Sequence, residues 1–509
     1  MDIKTAIAKK IADRRRRQLE GYRTDAHNIQ LEQLEKISKT LARTKYGAEI
    51  GINSRTTYGR YAKKVPIVKY EDIAPRIQQM LLGERHILTD ERTSWFSKSG
   101  GTTNAKSKYI PTNPRHLNQC HFKGGLDSIL IYLLNHPESN ILGHKAFALA
   151  GTYDTSIHKD RTIHTGDLSA VLLMKMPSFG RLLRVPDIDI VLYPEWERKL
   201  DLITDAIIQE DISNISGVPS WMLSVMKELL RKSGKQTIRE IWPNLEVFFH
   251  GGIAFTPYEK EYRKILGEGV NYMETYNASE GFFGIQDDPA DRSMLLMLDY
   301  GVFYEFIPMD QYDEDHLQDC PTVPLSGIEL GKNYAMIISN LGGLYRYVIG
   351  DTISFTNDSP YKFIITGRTK SFINAFGEEL MVTNADEAFA RLNEEFNCKI
   401  REYTAGPVFL SEKGKGYHHW VFEWEEAPNE MSIFAKRFDE VLQELNSDYE
   451  AKRYKDFSLQ PPVIDVVPKG TFYKWMKEKG KLGGQHKVIR LSKNDDIVQE
   501  VLTTAKLQK

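Results

Sequence analysis

The chain has 509 residues, of which 41% are hydrophobic and 27% are charged, as is usual for globular proteins. This composition excludes collagen-like and coiled-coil architectures, and the length favours a large domain plus a smaller one. The 67 Lys and Arg residues nearly balance the 69 Asp and Glu residues, so no overall positive charge attracts nucleic acid or an anionic membrane. We therefore expect neither of these as a partner.

The N-terminal segment, from Ile3 to about Leu41, has a polar-rich helical pattern that predicts a helical apron. Ile3, Ile7 and Ile11 recur every four residues, which predicts an amphipathic helix with the basic run Arg14 to Arg17 on its solvated face. The alternative for that run is a targeting or nucleic-acid-binding segment. The acidic residues around it favour the solvated face.

The three cysteines are widely separated, a spacing that indicates neither a disulfide framework nor a Cys-x-x-Cys metal pair. We expect a reducing, cytoplasmic location. The first residues lack the apolar core of a secretory signal, and the longest apolar run, Ile129 to Leu134, is too short for a membrane helix. These features predict a soluble protein that is not exported.

From about Trp95 to Ile365, short apolar runs typical of strands alternate with helical patterns, which favours an α/β sheet covered by helices. After Gly367 to Lys370 the pattern restarts with a helix, two strands and a second helix. We predict an α/β fold with a large mixed-sheet N-terminal domain over residues 1–368, which includes the helical apron. A small, mobile α+β C-terminal domain is predicted over residues 369–509.

The segment Ser97 to Pro111, SKSGGTTNAKSKYIP, has the composition of a phosphate-binding loop. Glycines allow close backbone approach to an anion, hydroxyl groups donate to phosphate oxygens and lysines neutralise charge. The alternative is a flexible polar turn. The residues that carry this prediction are Ser99, Gly100, Gly101, Thr102, Thr103, Lys106 and Lys108.

The part from Gly100 to Ser107 also approaches the P-loop pattern, with Ala105 in place of the second glycine. A P-loop opens a helix, whereas this segment leads into Tyr109 to Pro111, where the proline favours an extended backbone. We therefore predict a loop between two strands.

Two further motifs place carboxylates near predicted strands. In Tyr272 to Gly284, YMETYNASEGFFG, Glu280 follows a strand at the position where open α/β sheets bind ligands, and its oxygens suit Mg²⁺. In Leu344 to Phe355, LYRYVIGDTISF, Asp351 at a tight turn has the chemistry to accept both hydroxyl groups of a ribose. The alternatives are a turn-capping glutamate beside core phenylalanines and an ordinary Gly-Asp turn.

Histidines give weaker signals. His250 ends a predicted strand, where a buried structural ring is favoured over a catalytic one. His418 and His419 are neighbours on an alternating strand and face opposite sides, so we predict no zinc site there.

In chain order, the Ser/Thr-Gly loop, the YNASEG motif from Tyr276, the Tyr345-Arg346-Tyr347 motif with Gly350-Asp351, and Gly367-Arg368 resemble the adenylate-forming superfamily of firefly luciferase. Within it, they are most similar to the auxin-responsive acyl acid-amido synthetases, the Gretchen Hagen family, in its bacterial form. The similar segments span most of the chain. Others are Gly217 to Met222, Phe303 to Pro308, Ser371 to Glu379, Gly470 to Phe472 and Gln485 to Lys487.

This resemblance implies an ATP-dependent ligase that adenylates a carboxylic acid with MgATP and transfers the acyl group to an amine, usually of an amino acid. Glu280 is implied as the Mg²⁺-side carboxylate and a catalytic residue, and Lys487 as the catalytic lysine of adenylation. Rotation of the small domain would withdraw Lys487 for the second step. The implied nucleotide-binding residues are Ser99, Thr102, Thr103, Tyr276, Ser279, Glu280, Asp351 and Arg368, the last at the hinge.

The acyl pocket is expected near Arg115 to Leu126 and Tyr153 to Arg184, with Met174 and Met176 as apolar lining. Each candidate also has an alternative as a surface charge or a core residue. The candidates to meet the substrate carboxylate are Arg115, His116, Arg181 and Arg184.

The sequence departs from the family pattern at Gly100 and Asn104 in the loop, where a serine and a glycine are usual, and at Ile489, where plant members have proline. Loss of one hydroxyl weakens phosphate binding by about 1 kcal/mol. Two alternatives therefore stay open: a ligase that passes the acyl group to a thiol, and a catalytically silent nucleotide-binding protein.

Overall fold

The computed structural model describes residues 2–99, 108–158, 161–253, 255–369, 372–378, 380–410, 415–454, 458–479 and 488–506. These residues divide into two units. The first contains residues 2–99, 108–252 and 262–369, and the second contains the described residues of 253–261 and 372–506.

Helices occur in both units. The α-helices are α1 (Ile3–Thr24), α2 (Ala26–Leu41), α3 (Lys45–Glu49), α4 (Tyr58–Lys64), α5 (Tyr70–Leu81), α6 (Pro114–His116), α7 (Lys123–Asn135), α8 (Leu168–Lys175), α9 (Ser178–Leu183), α10 (Ile188–Val191), α11 (Trp196–Ile207), α12 (Pro219–Ser233), α13 (Thr256–Leu266), α14 (Val382–Phe396), α15 (Met431–Leu445), α16 (Ser447–Arg453), α17 (Thr471–Glu478) and α18 (Asp496–Lys506). A π-helical turn covers Leu117–Phe122, and 3-10 turns cover Ile238–Glu240, Met309–Gln311, Leu317–Asp319 and Leu325–Gly327.

The strands of the first unit are β1 (Trp95–Ser99), β2 (Lys108–Pro111), β3 (Lys145–Ala148), β4 (Tyr153–His158), β5 (Arg161–Asp167), β6 (Arg184–Val185), β7 (Ile212–Gly217), β8 (Val247–His250), β9 (Asn271–Ala278), β10 (Gly281–Ile285), β11 (Met294–Leu296), β12 (Val302–Pro308), β13 (Val323–Pro324), β14 (Asn333–Asn340), β15 (Tyr347–Asp358) and β16 (Tyr361–Arg368). Those of the second unit are β17 (Phe372–Ile373), β18 (Leu380–Met381), β19 (Lys399–Leu410), β20 (Lys415–Glu426) and β21 (Val463–Val467).

A mixed sheet forms the centre of the first unit. Among the described residues its strand order is β13-β12-β14-β15-β16-β11-β10-β9-β8-β7-β3-β6. The run from β9 to β6 pairs in parallel, and the run from β9 to β13 pairs antiparallel. A smaller sheet has the order β2-β1-β5-β4. This mixed α/β architecture confirms the predicted fold class of the N-terminal part.

Helix α1 contradicts the predicted amphipathic pattern. Ile3, Ile7 and Ile11 are 73%, 55% and 46% exposed, while Ala8 and Ala12 are buried. Helix α1 packs against α7, and small side chains on the buried face allow two helices to approach closely. The period of four is real, but the isoleucines lie on the outer face.

The basic run of α1 is not wholly solvated either, because Arg15 is only 4% exposed. Its guanidinium forms ion pairs with Asp127 at 2.9 Å and with Asp299 at 2.7 Å. The Tyr22 hydroxyl donates to Asp299 at 2.6 Å, and Lys123 lies 2.8 Å from the same carboxylate. We call Arg15, Tyr22, Asp127 and Asp299 the apron cluster, since it fastens the helical apron to the sheet domain.

The second unit has its own core, in which α14 and α15 pack against strands β19 and β20. The helix, two strands and second helix predicted for this part correspond to α14, β19, β20 and α15. The sheet order is β19-β20-β21, with β21 parallel to β20. This arrangement of helices and a small sheet is the α+β class expected from the sequence.

The three cysteines are free and buried. Of the helices in the described ranges, none is long and apolar enough to cross a bilayer.

Candidate active site

Glu280 lies at the tip of a tight hairpin between β9 and β10. Ala278 pairs with Gly281, so Ser279 and Glu280 form the connection. The Asn340 amide donates to the Glu280 carbonyl oxygen at 2.7 Å, and Glu280 itself is 6% exposed. The structure therefore fixes the turn from a third strand, β14, and holds a buried carboxyl at the strand end where the sequence predicted it.

Several charges act on the Glu280 carboxyl. Burial raises the pKa of Glu280 above its ordinary value, while the positive charges of Lys108 and Arg368 oppose the rise and Asp351 adds to it. A buried carboxyl whose charge is only partly compensated is well suited to bind a cation through oxygen.

Asp351 differs from the prediction in its local structure. It lies inside the continuous strand β15, not at a tight turn, and the preceding Gly350 has a φ of +94°, in the region that favours glycine. The glycine thus supplies a local change of direction without ending the strand.

Asp351 connects three strands through its two carboxylate oxygens. The Tyr276 hydroxyl of β9 donates to one oxygen, and Arg368 Nε of β16 lies 2.6 Å from the other. Burial, reinforced by Asp351, raises the pKa of Tyr276 well above its ordinary value, so the phenol stays protonated and donates. We call Tyr276, Asp351 and Arg368 the site cluster. All three were proposed from the sequence as nucleotide-binding residues, and the fold brings them together.

The predicted phosphate loop connects two adjacent strands. β1, which ends at Ser99, pairs antiparallel with β2, which begins at Lys108. This confirms the interpretation as a loop between strands rather than a P-loop before a helix. Ser279 Oγ donates to the Lys98 carbonyl at 3.5 Å, so the Glu280 hairpin lies beside the base of the loop. Thr102, Thr103 and Lys487 lie outside the described residues.

The candidates for the substrate carboxylate are dispersed. The Arg115 guanidinium forms ion pairs at 3.0 Å with both Asp90 and Glu91. Arg181 Nε donates to the Met176 carbonyl at 2.7 Å, and Arg184 donates to the Pro186 carbonyl. Within the described residues, these arginines have local partners.

His116 is 1% exposed, and burial lowers its pKa well below the ordinary value. The ring is therefore neutral near pH 7 and carries no positive charge to pair with a carboxylate. Its neighbour five residues on, His121, was not singled out by sequence reasoning. His121 Nδ1 lies 2.9 Å from Asn277 Oδ1, directly beside the hairpin.

Asn340 and His121 are the contacts that sequence reasoning missed. Asn340 is distant in sequence from the hairpin that it holds, and no local pattern marks it. His121 belongs to the π-helical turn, which deviates from regular α-helical geometry.

The other histidines have structural surroundings. His250 ends β8, and burial lowers its pKa to about 3. His418 Nε2 lies 2.7 Å from Glu378, whereas His419 lies 2.9 Å from Asp465, so the two rings have separate partners as alternation predicted.

Comparison with known proteins identifies the family. The chain matches the GH3 family N-terminal domain over residues 15–270, the GH3 family central domain over 295–368 and the GH3 family C-terminal domain over 382–496. It is 26% identical to the indole-3-acetic acid-amido synthetase GH3.4 of Arabidopsis thaliana, over 93% of this chain and 90% of that protein. It is 25% identical to the 4-substituted benzoates-glutamate ligase GH3.12 of the same plant, over 96% of each chain.

A solved structure shares the fold. The AtGH3.15 acyl acid amido synthetase in complex with 2,4-DB has a TM-score of 0.60 and 18% identity, over 96% of this chain and 95% of that one. The order of the three matched domains, the near-complete coverage of the relatives and the shared fold lead to one conclusion, which agrees with the resemblance found in the motifs: the chain belongs to the GH3 family.

Proposed function

We propose that this protein is an ATP-dependent acyl acid amido synthetase, which adenylates a carboxylic acid and joins its acyl group to the amine of an amino acid. The observation that carries the proposal is the placement of Glu280 beside the site cluster, at the base of a Ser/Thr-Gly loop. The relatives' activities as amido synthetases support the reaction class.

The nucleotide would be held by groups that the strands position. The Asp351 carboxylate accepts from the ribose hydroxyl groups, and Arg368 and Tyr276 keep that carboxylate oriented. Ser99, Thr102 and Thr103 would donate to phosphate oxygens, with Lys108 at the start of β2 adding positive charge.

Glu280 fits a Mg²⁺ ion because it is a hard oxygen ligand whose charge is only partly balanced by Lys108 and Arg368. When bound, the ion would neutralise negative charge that develops on the phosphates during adenylation. The protein's own part is to hold the Glu280 turn in place through the hydrogen bond from Asn340 to the Glu280 main-chain carbonyl, and to shield the carboxylate from water.

The first step joins the acid carboxylate to the α-phosphorus of ATP and releases pyrophosphate. In the second step the amine attacks the acyl carbon, AMP leaves and the amine gives up a proton. Lys487 would stabilise the first transition state. The proposal includes a division into residues 1–368 and a mobile domain of 369–509, supported by separate hydrophobic cores on either side of that boundary.

The experiment measures pyrophosphate release from MgATP with a panel of carboxylic acids, first without amine and then with each amino acid. Acid-dependent release with an amide product supports the proposal. An acyl-CoA product in place of the amide would support the thiol-directed ligase, and ATP binding without turnover would support the silent nucleotide-binding protein. Lys487→Ala tests the lysine, since we expect loss of adenylation with ATP binding retained.

A further inference from the structure

The helix that follows β2 is interrupted by a π-helical turn directly behind the Glu280 hairpin. The turn covers Leu117–Phe122 and places His116 and His121, five residues apart, on the same side. Their ring centroids are 5.1 Å apart in an edge-to-face arrangement. In a regular α-helix, positions five apart point in different directions, so the wider π turn is what brings these two rings together.

Both rings are held against the hairpin. His121 Nδ1 bonds to Asn277 Oδ1 at 2.9 Å, and Asn277 is on β9 just before the turn. The main chain of Glu280 lies close enough to His116 to oppose part of the decrease in the ring's pKa that burial causes. Cys120, between them, accepts a hydrogen bond from the Phe282 amide at 3.1 Å. The two histidines therefore pack directly against the hairpin that carries Glu280.

The free sides of the two rings lack hydrogen-bond partners. His121 Nε2 has none within the described residues, and neither nitrogen of His116 reaches a partner with normal hydrogen-bond geometry there. The rings are 1% and 2% exposed, so bulk water does not substitute for a partner. Buried polar atoms without partners are rare, and they indicate that a ligand or an ordered water completes the site.

The protonation of the rings defines the chemistry that would complete them. Burial lowers the pKa of His121 to about 4 and holds that of His116 well below its ordinary value, so both rings are neutral near pH 7. Because Asn277 Oδ1 is an acceptor, the proton of His121 is on Nδ1 and its Nε2 is left with a bare lone pair. Neither nitrogen of His116 has a partner among the described residues, so whichever nitrogen carries the proton, the other is an acceptor. Each ring thus presents an acceptor, and the complementary group is a neutral hydrogen-bond donor.

We propose that His116 and His121 form an accepting subsite for a hydroxyl or N–H group on the acyl part of the substrate, so that the preferred acids carry such a donor in addition to the carboxylate. This inference rests on the proposed function, because the acid must lie beside Glu280 to be adenylated. It also assigns His116 a role opposite to carboxylate binding, since the ring carries no charge.

The test compares pairs of acids that differ by one hydroxyl-to-methyl replacement, which keeps size but removes the donor. The probes are 4-hydroxyphenylacetic against 4-methylphenylacetic acid, and 4-hydroxybenzoic against 4-methylbenzoic acid. We expect kcat/KM for pyrophosphate release to favour the hydroxy acid of at least one pair by about tenfold or more, because a buried acceptor without its donor penalises the methyl analogue.

His121→Phe and His116→Phe remove the acceptors and keep a ring of similar size, and each is expected to bring the ratio of the two acids close to one. His121→Gln restores a neutral acceptor and is expected to recover part of the preference, which a purely structural role would not do. His27→Phe, on the exposed face of α2, is the matched control and should keep the wild-type ratio. Thermal unfolding of every variant establishes that the ratios come from folded protein.

A second measurement separates this inference from the proposed function. The ¹⁵N resonances of the histidines are recorded while 4-hydroxyphenylacetic acid or its methyl analogue is added without ATP. A shift of the His121 Nε2 signal with the hydroxy acid alone supports the subsite even if no adenylation occurs. A ratio near one for both pairs in the wild type, or a preference that survives both Phe variants, would overturn it and leave these nitrogens to ordered water.

Discussion

The apron cluster and the site cluster use the same three residue types, a tyrosine, an aspartate and an arginine, with different results. In the apron cluster, the Asp299 carboxylate meets Arg15, Tyr22 and Lys123, and together their charges hold the pKa of Asp299 far below its usual range. Arg15 itself has a side chain only 5% exposed. This carboxylate has little capacity left for a further ligand.

The site cluster is more exposed than the apron cluster at its arginine. The Arg368 side chain is 33% exposed, its Nε lies 2.6 Å from one oxygen of Asp351, and the Tyr276 hydroxyl donates to the other oxygen. Its carboxylate therefore keeps lone pairs for further hydrogen bonds. The comparison teaches that residue type does not separate a structural cluster from a binding site; the exposure of the arginine and the number of donors on the carboxylate do.

The largest expected effect is on stability, at the apron cluster. Arg15→Met removes the cation that compensates Asp127 and Asp299, and leaving buried charges unpaired costs about 3–5 kcal/mol of unfolding free energy. Urea denaturation measures the loss. Arg16→Met, one position on, breaks only an exposed pair with Asp13 and should cost less than about 1 kcal/mol. Equal losses for the two variants would contradict a structural role for Arg15.

A substitution in the site cluster should weaken nucleotide binding more than it weakens the stability of the fold. Asp351→Ala removes the proposed ribose acceptors, and we expect KM for ATP to rise about 10- to 100-fold, since hydrogen bonds to a charged group contribute about 1.5–3 kcal/mol. The stability loss should be smaller than that of Arg15→Met. Asp358→Ala changes an exposed residue of the same strand and is the control. An unchanged KM would remove Asp351 from the nucleotide site.

The raised pKa of Glu280 predicts that the activity falls on the acid side of its pH profile. Only the ionised carboxyl binds a cation well, so kcat/KM for ATP should fall about tenfold per pH unit below a pKa that lies above the ordinary glutamate value. The stability of the folded protein changes with pH in the opposite direction to the activity. The folded state holds this proton more tightly than the unfolded chain, so stability decreases as pH rises from the ordinary pKa through the raised one.

Two variants test whether the loss of activity at low pH comes from Glu280. Glu280→Gln should abolish this pH dependence together with most of the activity. Glu274→Gln is the control because burial raises the pKa of Glu274 to about 7, and this residue is also on β9. If the pH dependence disappears in Glu274→Gln instead, it does not belong to Glu280.

The smallest effect is expected at Arg115. Its guanidinium is engaged by Asp90 and Glu91, so Arg115→Gln should change KM for the carboxylic acid by less than about threefold, while stability falls by about 1 kcal/mol. Initial rates at varied acid concentration provide the measurement. A rise in KM above tenfold would support the sequence-based interpretation of Arg115 as the carboxylate partner.

The sequence predicted the features that depend on neighbours in the chain. The strand that precedes Glu280, the loop between β1 and β2 and the elements of the second unit agree with the structure because each follows from local periodicity and turn residues. Family resemblance added Tyr276 and Arg368 to Asp351, and no local pattern encodes the assembly of these three residues from three strands.

The failures have physical causes. The isoleucine stripe of α1 is outside because close packing on α7 selects alanines, and Arg15 is inside because distant aspartates compensate it. Asp351 lies within a strand because Gly350 provides the left-handed backbone without a turn. The hydrogen bond from Asn340 to the Glu280 carbonyl joins positions that only the folded sheet brings together.

The π turn at Leu117–Phe122 also makes the length of this segment part of its function. A π turn holds one residue more than the corresponding α turn, so it behaves as a single-residue insertion in an otherwise continuous helix. Deleting the exposed Asn118 would allow the segment to return to the α-helical repeat and rotate His121 away from Asn277. In sequence comparisons, a one-residue gap at this point would therefore mark a protein with different side chains packed behind the hairpin. This holds even where every aligned residue is the same.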